Sequence, residues 1–408
     1  MTQRYDTYKD SGVQWLGEIP GHWGCVFINR LFNIKAGGDV KPELYADKKD
    51  ENHPFPVYTN TKSADDVYAY TSLATCPSNS ITVTGRGEVG HAIFRETPYD
   101  AIVRLLSLTP KSNIICKFYA YFIDTVIPFS SDSAAIGQLS AVQIKQKHVT
   151  LPPLSEQRSI VSYLDAKCGK IDEWVTKKQK EVEHLQELKQ RVIVDAVTRG
   201  LNPHVKMKAT NISWLKEIPE HWEMSKISSH FRQRNEKVSD KDYPALSVSK
   251  QGVTPQLDNV ALSNAEGTSR KLVKVGDYAV NSRSDRKGSC GVSKYEGSVS
   301  LITIVLEPFN INGEYIHYLF RSNLWVEEFY RNGRGIVADL WTTNYQMMKS
   351  MYMPVPPLSE QKQIVSYLDA KTSQIDKLIA HITKEIECIK EYKQRLISDV
   401  VTGQIKVC

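Results

Sequence analysis

Residues 151–201 read LPPLSEQRSIVSYLDAKCGKIDEWVTKKQKEVEHLQELKQRVIVDAVTRGL, and residues 355–405 read VPPLSEQKQIVSYLDAKTSQIDKLIAHITKEIECIKEYKQRLISDVVTGQI. Pro152 aligns with Pro356, an offset of 204 residues that holds without a gap to the end of the segment. So close a repeat marks a duplicated structural unit. Each copy reads as helical. The proline pair bars an earlier helix start, because proline lacks an N–H and restrains its predecessor. Ser155 and Ser359 are expected as N-caps, with Glu156 and Glu360 in the first turn complementing the helix dipole. A short helix is expected through IVSYLDAK, then a longer one from near Ile171 and Ile375.

The longer helices carry a heptad seam. In the second copy Ile375, Ile382, Ile389 and Leu396 recur every seven residues, and Leu378, Ile379, Ile386 and Tyr392 fill the intervening positions. In the first copy Ile171, Trp174, Val175, Val182, Leu185, Leu188 and Val192 keep the seam, and Lys178 interrupts it. Gly200 and Gly403 mark the expected ends. Either each helix packs on its own domain or the two pair with each other. Pairing is the expectation, because near-identical apolar stripes need partners and two copies supply them. A helix of about 28 residues would span about 42 Å, comparable to roughly twelve base pairs.

A second repeat precedes each helical segment. Residues 15–23 read WLGEIPGHW and residues 214–222 read WLKEIPEHW, an offset of 199. The chain is therefore a tandem duplication with four parts: 1–150, 151–203, 204–354 and 355–408. The tryptophans form either a binding platform or an apolar clasp closing the start of each domain. The clasp is the expectation, since buried aromatics dominate such contacts. The intervening blocks, roughly 24–150 and 223–354, hardly resemble each other. Strand-like runs occur at 80–84, 91–94, 277–280 and 300–307, and one aromatic helical stretch in each block, at 117–125 and 314–329. Each block reads as a small α/β domain with a twisted sheet. A fixed frame carrying two independent readers explains the contrast.

With 408 residues, two or more domains are expected. No run of eighteen apolar residues occurs, so no membrane span is expected. Residues 1–12 lack the apolar core of a signal peptide. Seven cysteines without a C-x-x-C read as reduced thiols of a cytoplasmic protein. A net charge of +6 is compatible with a nucleic-acid partner.

Gly85 to Gly90, GRGEVG, fits G-x-G-x-x-G, but the following HAIFRETPYD looks extended and offers no helix N-terminus to a dinucleotide. A glycine-rich turn presenting Arg86 is expected instead. Residues 281–291, NSRSDRKGSCG, are its counterpart, with Arg283, Arg286 and Lys287. Exposed arginine can fork onto guanine or phosphate. By residue type, Asn60, Lys62, Lys250, Arg270, Lys271, Arg331 and Arg334 complete the candidate DNA-facing set. No P-loop, no H-E-x-x-H or Cys/His cluster and no [DN]-P-P-[YF] motif is present, and no nucleophile–base set stands out. The chain reads as non-catalytic, with no metal site and no cofactor of its own.

These residues resemble the specificity (S) subunit of type I restriction–modification enzymes. The resemblance rests on the W-L-x-E-I-P-x-H-W pair, on P-P-L-S-E-Q at 152–157 and 356–361, and on the endings DAVTRG and DVVTGQ. It implies two target-recognition domains, each reading one half of a bipartite site on double-stranded DNA. It implies that the repeated helices pair antiparallel under a pseudo-twofold, set the spacing and dock two methyltransferase (M) subunits. Restriction (R) subunits would complete the complex. S-adenosylmethionine would then belong to M, and ATP and Mg to R. The rival reading is a helical scaffold without DNA-reading function.

Overall fold

The structure is a computed structural model and describes residues 4–129, 138–239, 241–256, 270–335 and 341–407. The chain forms two compact units. One comprises Met1–Gln179 with Lys384–Cys408, the other Lys180–Thr383. The first is discontinuous in sequence and the second is the stretch between its two parts, and each takes in the start of one repeated helix and the end of the other.

Each repeat folds as one unbroken helix, Leu154–Arg199 and Leu358–Val401. The expected break before Ile171 and Ile375 is absent. Gly169 is the weakest helix former there, and one exposed glycine costs only about 1 kcal/mol. Buried Leu164 and Cys168 lead without interruption into Ile171 and Val175, so packing carries the helix across. The helices begin at Leu154 and Leu358, which puts Ser155 and Ser359 inside the first turn, not before it as caps. Gly200 and Gly403 end them with φ of 75° and 79°.

The helices run antiparallel in both units. In the first, the Lys393 ammonium lies 2.6 Å from Asp172 and Lys178 lies 3.8 Å from Glu385. In the second, Lys189 lies 2.7 Å from Asp376. Ile375, Ile382, Ile386, Leu396 and Val175 are buried, while Ile171, Val182, Leu185, Val192, Ile379 and Ile389 are half-buried. Leu378, Tyr392 and Leu188 are not in the seam; they are 52%, 54% and 47% exposed. The seam advances by alternating steps of four and three, so each of these lies one residue, about 100°, off it. The positions beside Leu188 and Tyr392 that do lie on it are Lys189 and Lys393.

The two diverged blocks share the topology of one four-stranded sheet. In the first, strands run in the order Phe32–Ala36, Leu106–Pro110, Ser80–Val83, Ala92–Arg95, all antiparallel. In the second the order is Phe231–Arg234, Thr303–Pro308, Tyr278–Asn281, Cys290–Val292, again antiparallel. Helix Cys116–Thr125 follows the first sheet. The second has two helices, Gly313–Arg321 and Asn323–Arg331, where one stretch was expected. Ser322 is extended and its side chain caps the second helix at Trp325 N–H. The segments entering and leaving each block pair as antiparallel ribbons: Gly24–Phe27 with His148–Leu151, and Glu223–Lys226 with Tyr352–Val355. Each block is thus tied at its neck, directly between the two repeated motifs.

The repeated motifs explain one another. Trp23 and Trp222 are fully buried and Trp214 nearly so, as a clasp requires, whereas Trp15 remains 37% exposed. The clasp is also polar. Trp23 Nε1 donates to Glu156 at 3.0 Å, joined by Tyr5 Oη at 2.9 Å and by His22 Nε2 at 2.6 Å. Trp222 Nε1 and His221 Nε2 meet Glu360 at 3.0 and 2.8 Å. Gln157 binds the Pro152 carbonyl and accepts from Ile115 N–H; Gln361 does the same with Pro356 and Asn312. The repeated S-E-Q is therefore a set of specific bonds as well as a helix start.

Ile382→Ala is expected to cost about 2–5 kcal/mol, the range for a truncated core aliphatic. Leu378→Ala should fall within about 0.5 kcal/mol. Urea unfolding of the two variants checks this, and equal losses would contradict the seam assignment.

Burial raises the Glu156 pKa, but the bonds from His22, Trp23 and Tyr5 outweigh it and hold the carboxyl below its usual range. A depressed folded value means that the ionised carboxylate stabilises the fold above the unfolded pKa of about 4.3. That contribution is lost as pH falls through the folded value. The acid limb of a Tm–pH profile should therefore flatten in Glu156→Gln; an unchanged limb would count against the clasp.

Candidate nucleic-acid interface

Three segments meet in the second unit beyond the strand Tyr278–Asn281. The turn Ser284–Arg286 is held by Ser284 N–H donating to Trp341 O at 2.9 Å. Thr343 N–H donates to Ser282 O at 2.9 Å, and Arg334 and Thr342 exchange backbone bonds. Tyr330 Oη ties the loop from below, donating to Asn281 O and Arg286 O at 2.9 and 3.2 Å. This arrangement brings together Arg283, Arg286, Lys287, Arg331 and Arg334, which sequence alone had placed in two distant stretches. A cavity of about 440 Å³ opens among them, lined by Ser284, Asp285, Lys287, Glu327, Tyr330, Arg331 and Trp341.

Carboxylates hold four of these cations. Arg283 Nε lies 3.1 Å from Asp285, Lys287 3.0 Å from Glu327 and Arg331 3.1 Å from Glu328. Arg286 is 68% exposed with Asp285 at 3.8 Å. Exposed pairs of this kind are worth about 0–1 kcal/mol, so the guanidinium groups can trade them for phosphate or base edges at little loss. Trp341, 36% exposed, adds an aromatic face that sequence reading missed. Nothing in a lone tryptophan signals that it joins a loop some sixty residues upstream.

The first unit repeats the frame with different residues. The loop Gly85–Gly90 follows the strand Ser80–Val83, and Leu139 N–H donates to Gly85 O at 2.9 Å. Arg86 bridges Gln138 as Arg283 bridges Thr342. In both units a side-chain-capped short helix follows, Ala141–Lys145 after Ser140 and Tyr345–Met348 after Asn344. Gly90 has φ 90°, and a Cβ there would meet the Phe129 ring at 2.3 Å, so the loop needs glycine. The strand Ala92–Arg95 follows, as a turn reading of the glycine motif expects.

Arg86 is exposed, and Lys62 pairs with Glu88 in the same loop. Asn60 is a brace: Oδ1 accepts from Gly85 and Arg86 N–H at 2.7 and 3.2 Å, and Nδ2 donates to Val103 O at 2.7 Å. His91 lies 2.5 Å from Asp124 at the foot of the loop, and that bond raises its pKa. Lys250 stands exposed at the tip of the hairpin Leu246–Ser249/Gly252–Pro255.

Two residues leave the DNA-facing set. Arg270 is 9% exposed and donates to Ser298 Oγ, Ser298 O and Leu246 O at 2.9, 2.8 and 3.2 Å. Its guanidinium is spent inside the block. Lys271 is half-buried and bonds Thr303 O at 2.9 Å, and burial lowers its pKa. Residue type alone could not separate these from surface cations. Among the described residues no His/Cys/Asp/Glu group is placed to hold a metal ion, and no helix is long and apolar enough to cross a membrane.

Arg270→Ala should destabilise by about 1–3 kcal/mol, the loss of buried bonds to two carbonyls and a hydroxyl. Arg286→Ala should leave stability unchanged. Thermal unfolding of both variants decides the assignment, and an unchanged Tm in Arg270→Ala would return that residue to the surface set.

Comparison with known proteins places this geometry. The family model for the type I restriction modification DNA specificity domain matches twice, over residues 20–184 and 219–388. A putative type I specificity subunit of Mycoplasma pneumoniae is 30% identical over 143 residues, 33% of this chain and 39% of that protein. A second from the same organism is likewise covered over 39% of its length. The type I restriction enzyme MjaVIII specificity subunit of Methanocaldococcus jannaschii is 22% identical over 420 aligned residues, 95% of this chain and 94% of its own. A solved chain from work on complex assembly and conformational transition of the type I R-M system superposes with a TM-score of 0.69 at 13% identity, covering 94% and 98% of the two chains. At that identity the likeness is one of fold.

Proposed function

The chain belongs to the type I restriction modification DNA specificity family, and on that premise we propose that it is the non-catalytic subunit that selects the DNA sequence. Each diverged block reads one half of a bipartite site on double-stranded DNA. The observation that carries this reading is the pair of arginine-bearing loops. Arg86 and Arg283 occupy the same position on the same frame, in blocks whose sequences otherwise differ. A scaffold without DNA-reading function has no use for two equivalent cationic loops on unlike surfaces, so the scaffold alternative is disfavoured.

The repeated helices set the distance between the readers, since a helix is a length standard of about 1.5 Å per residue. They also carry a second, outward apolar row. Tyr367, Leu378 and Tyr392 are 38%, 52% and 54% exposed, and Leu188 is 47% exposed. Leu378 and Tyr392 correspond to Trp174 and Leu188 of the first copy. Exposed apolar side chains mark interaction surfaces, and the equivalent exposed positions Tyr392 and Leu188 fit two copies of one partner, the M subunit. R subunits complete the assembly. S-adenosylmethionine belongs to M, and ATP and Mg to R. The compartment is the cytoplasm.

Co-expression with a cognate M subunit followed by methylation mapping tests the reading. Arg86→Ala should relax one half of the methylated motif, and the pair Arg283→Ala with Arg286→Ala only the other half. Each lost base contact removes about 1–3 kcal/mol of discrimination. Relaxation of both halves by a single-block variant, or of neither by both, would overturn the assignment.

A further inference from the structure

Beside the arginine loop, the second unit holds another cavity, of about 610 Å³. Its walls come from the hairpin tip Lys250–Gln251, the helix Gly313–Arg321 and the first long helix at Lys189 and Gln190. Four lining side chains are cationic, Lys189, Lys250, Lys287 and Arg321, against the single carboxylate of Glu327. Three have partners within the unit. Lys189 is held by Asp376, Lys287 by Glu327, and Arg321 donates to the Cys290 and Lys250 carbonyls. Lys250 stands exposed at the rim.

Two lining residues have enclosed polar atoms with no hydrogen-bond partner among the described residues, His317 Nδ1 and Gln190 Oε1. Such atoms are rare in folded proteins and mark places where something else bonds. Burial, then the Arg321 and Lys294 charges, push the His317 pKa down to about 4, so its ring is a neutral hydrogen-bonding group at pH 7 and no part of the positive charge. A group with several acceptor oxygens and negative charge suits these walls. Lys287 and Glu327 line both this cavity and the one under the arginine loop, so the two adjoin. That continuity favours a polymer running past the loop over a small anion diffusing in alone.

We propose that this cavity is a phosphate subsite, in which Lys250, Lys287 and Arg321 grip one phosphodiester of the DNA whose bases face the Arg283–Arg286 loop. This rests on the DNA-reading function proposed above. Phosphate contacts fix position and orientation and carry no sequence information. Lys250 is therefore an anchoring residue, separate from the residues that choose bases.

The test is Lys250→Gln in the complex with the M subunit, with DNA affinity measured against salt on target and non-target duplexes. Each phosphate contact contributes a slope of about −0.9 in log K against log salt. Lys250→Gln should reduce the slope by about 1 and weaken both duplexes alike, with the methylated motif unchanged, and Lys250→Arg should restore the slope. An unchanged slope, or a loss confined to one sequence, overturns the subsite while leaving base reading by the arginine loop intact. If the unsubstituted complex shows no salt-dependent DNA binding, the functional reading itself fails. A thermal-shift titration with inorganic phosphate separates the sources. Stabilisation by millimolar phosphate without DNA, abolished in Lys250→Gln, would assign the cavity to a free anion and overturn the DNA assignment.

Discussion

Neither compact unit can close its core with the residues of its own repeat. In the first, Trp23, Phe122, Ile160 and Leu164 pack with Leu396, Ile397, Val400 and Val401, the last turns of the helix that the other repeat begins. In the second, Trp222, Tyr315, Ile364 and Leu368 pack with Ile193, Ala196 and Val197. Antiparallel pairing is what delivers each helix end to the foreign core. The hydroxyls confirm the fit: Tyr315 donates to Val197 O at 3.1 Å and Tyr8 to Gly403 O at 2.9 Å. Losing the seam would therefore open both cores as well as separate two rods. This explains why the repeats stay alike over about fifty residues while the blocks between them do not.

Each block is fastened at its neck and by one helix, where Lys117 and Tyr121 bond Asp165 in the first unit and Tyr318 bonds Asp369 in the second. A four-residue ribbon joins the incoming and outgoing strands, and the Trp–Glu and Gln–carbonyl bonds lock that ribbon to the helix start. Beyond these ties a block must preserve a sheet order and a loop position, not a sequence. The buried arginines illustrate this freedom. Arg95 stacks on the Tyr58 ring at 3.5 Å and donates to Ala64 O and Thr82 Oγ1 in one block, while Arg270 does comparable work with Ser298 and Leu246 in the other. The same need, a polar tie inside a small block, is met from different strands.

What the sequence disclosed follows from what kind of contact each feature makes. Repeats, seam and strand cores are written in local patterns of large apolar residues, so Ile382, Trp23 and the strand at 80–83 were legible. The single long helix was obscured because weak helix formers around Gly169 look like a break when the packing beneath them is unseen. Ser322 splits the aromatic stretch for a reason only its extended backbone and cap reveal. The interface was half legible. Arginine-rich turns after strands stand out, whereas the burial of Arg270 depends on Ser298 and Leu246, and the recruitment of Trp341 depends on Ser284. Those are long-range bonds between residues of no distinctive pattern. The role of Glu156 was seen only in part, because a first-turn acid is common and its bonds to Trp23 and Tyr5 come from the far end of the block.

The seam lysines settle a remaining question of alignment. Two near-identical heptad stripes could also pair parallel and in register, since an apolar seam alone does not fix direction. In that arrangement every residue would face its own repeat equivalent. Lys189 would meet Lys393, and Asp172 would meet Asp376, so like charges would stand together, the lysines at partly enclosed positions and the aspartates at exposed ones. The antiparallel arrangement converts both clashes into the two ion pairs observed, at 2.7 and 2.6 Å. Polar residues at seam positions lower stability but specify register and partner orientation. Their repetition in both copies is needed because an internal duplication creates its own competing alignment. The charges do what further leucines there could not: they make the wrong direction of pairing unfavourable, and so direct each helix end to the core that lacks it.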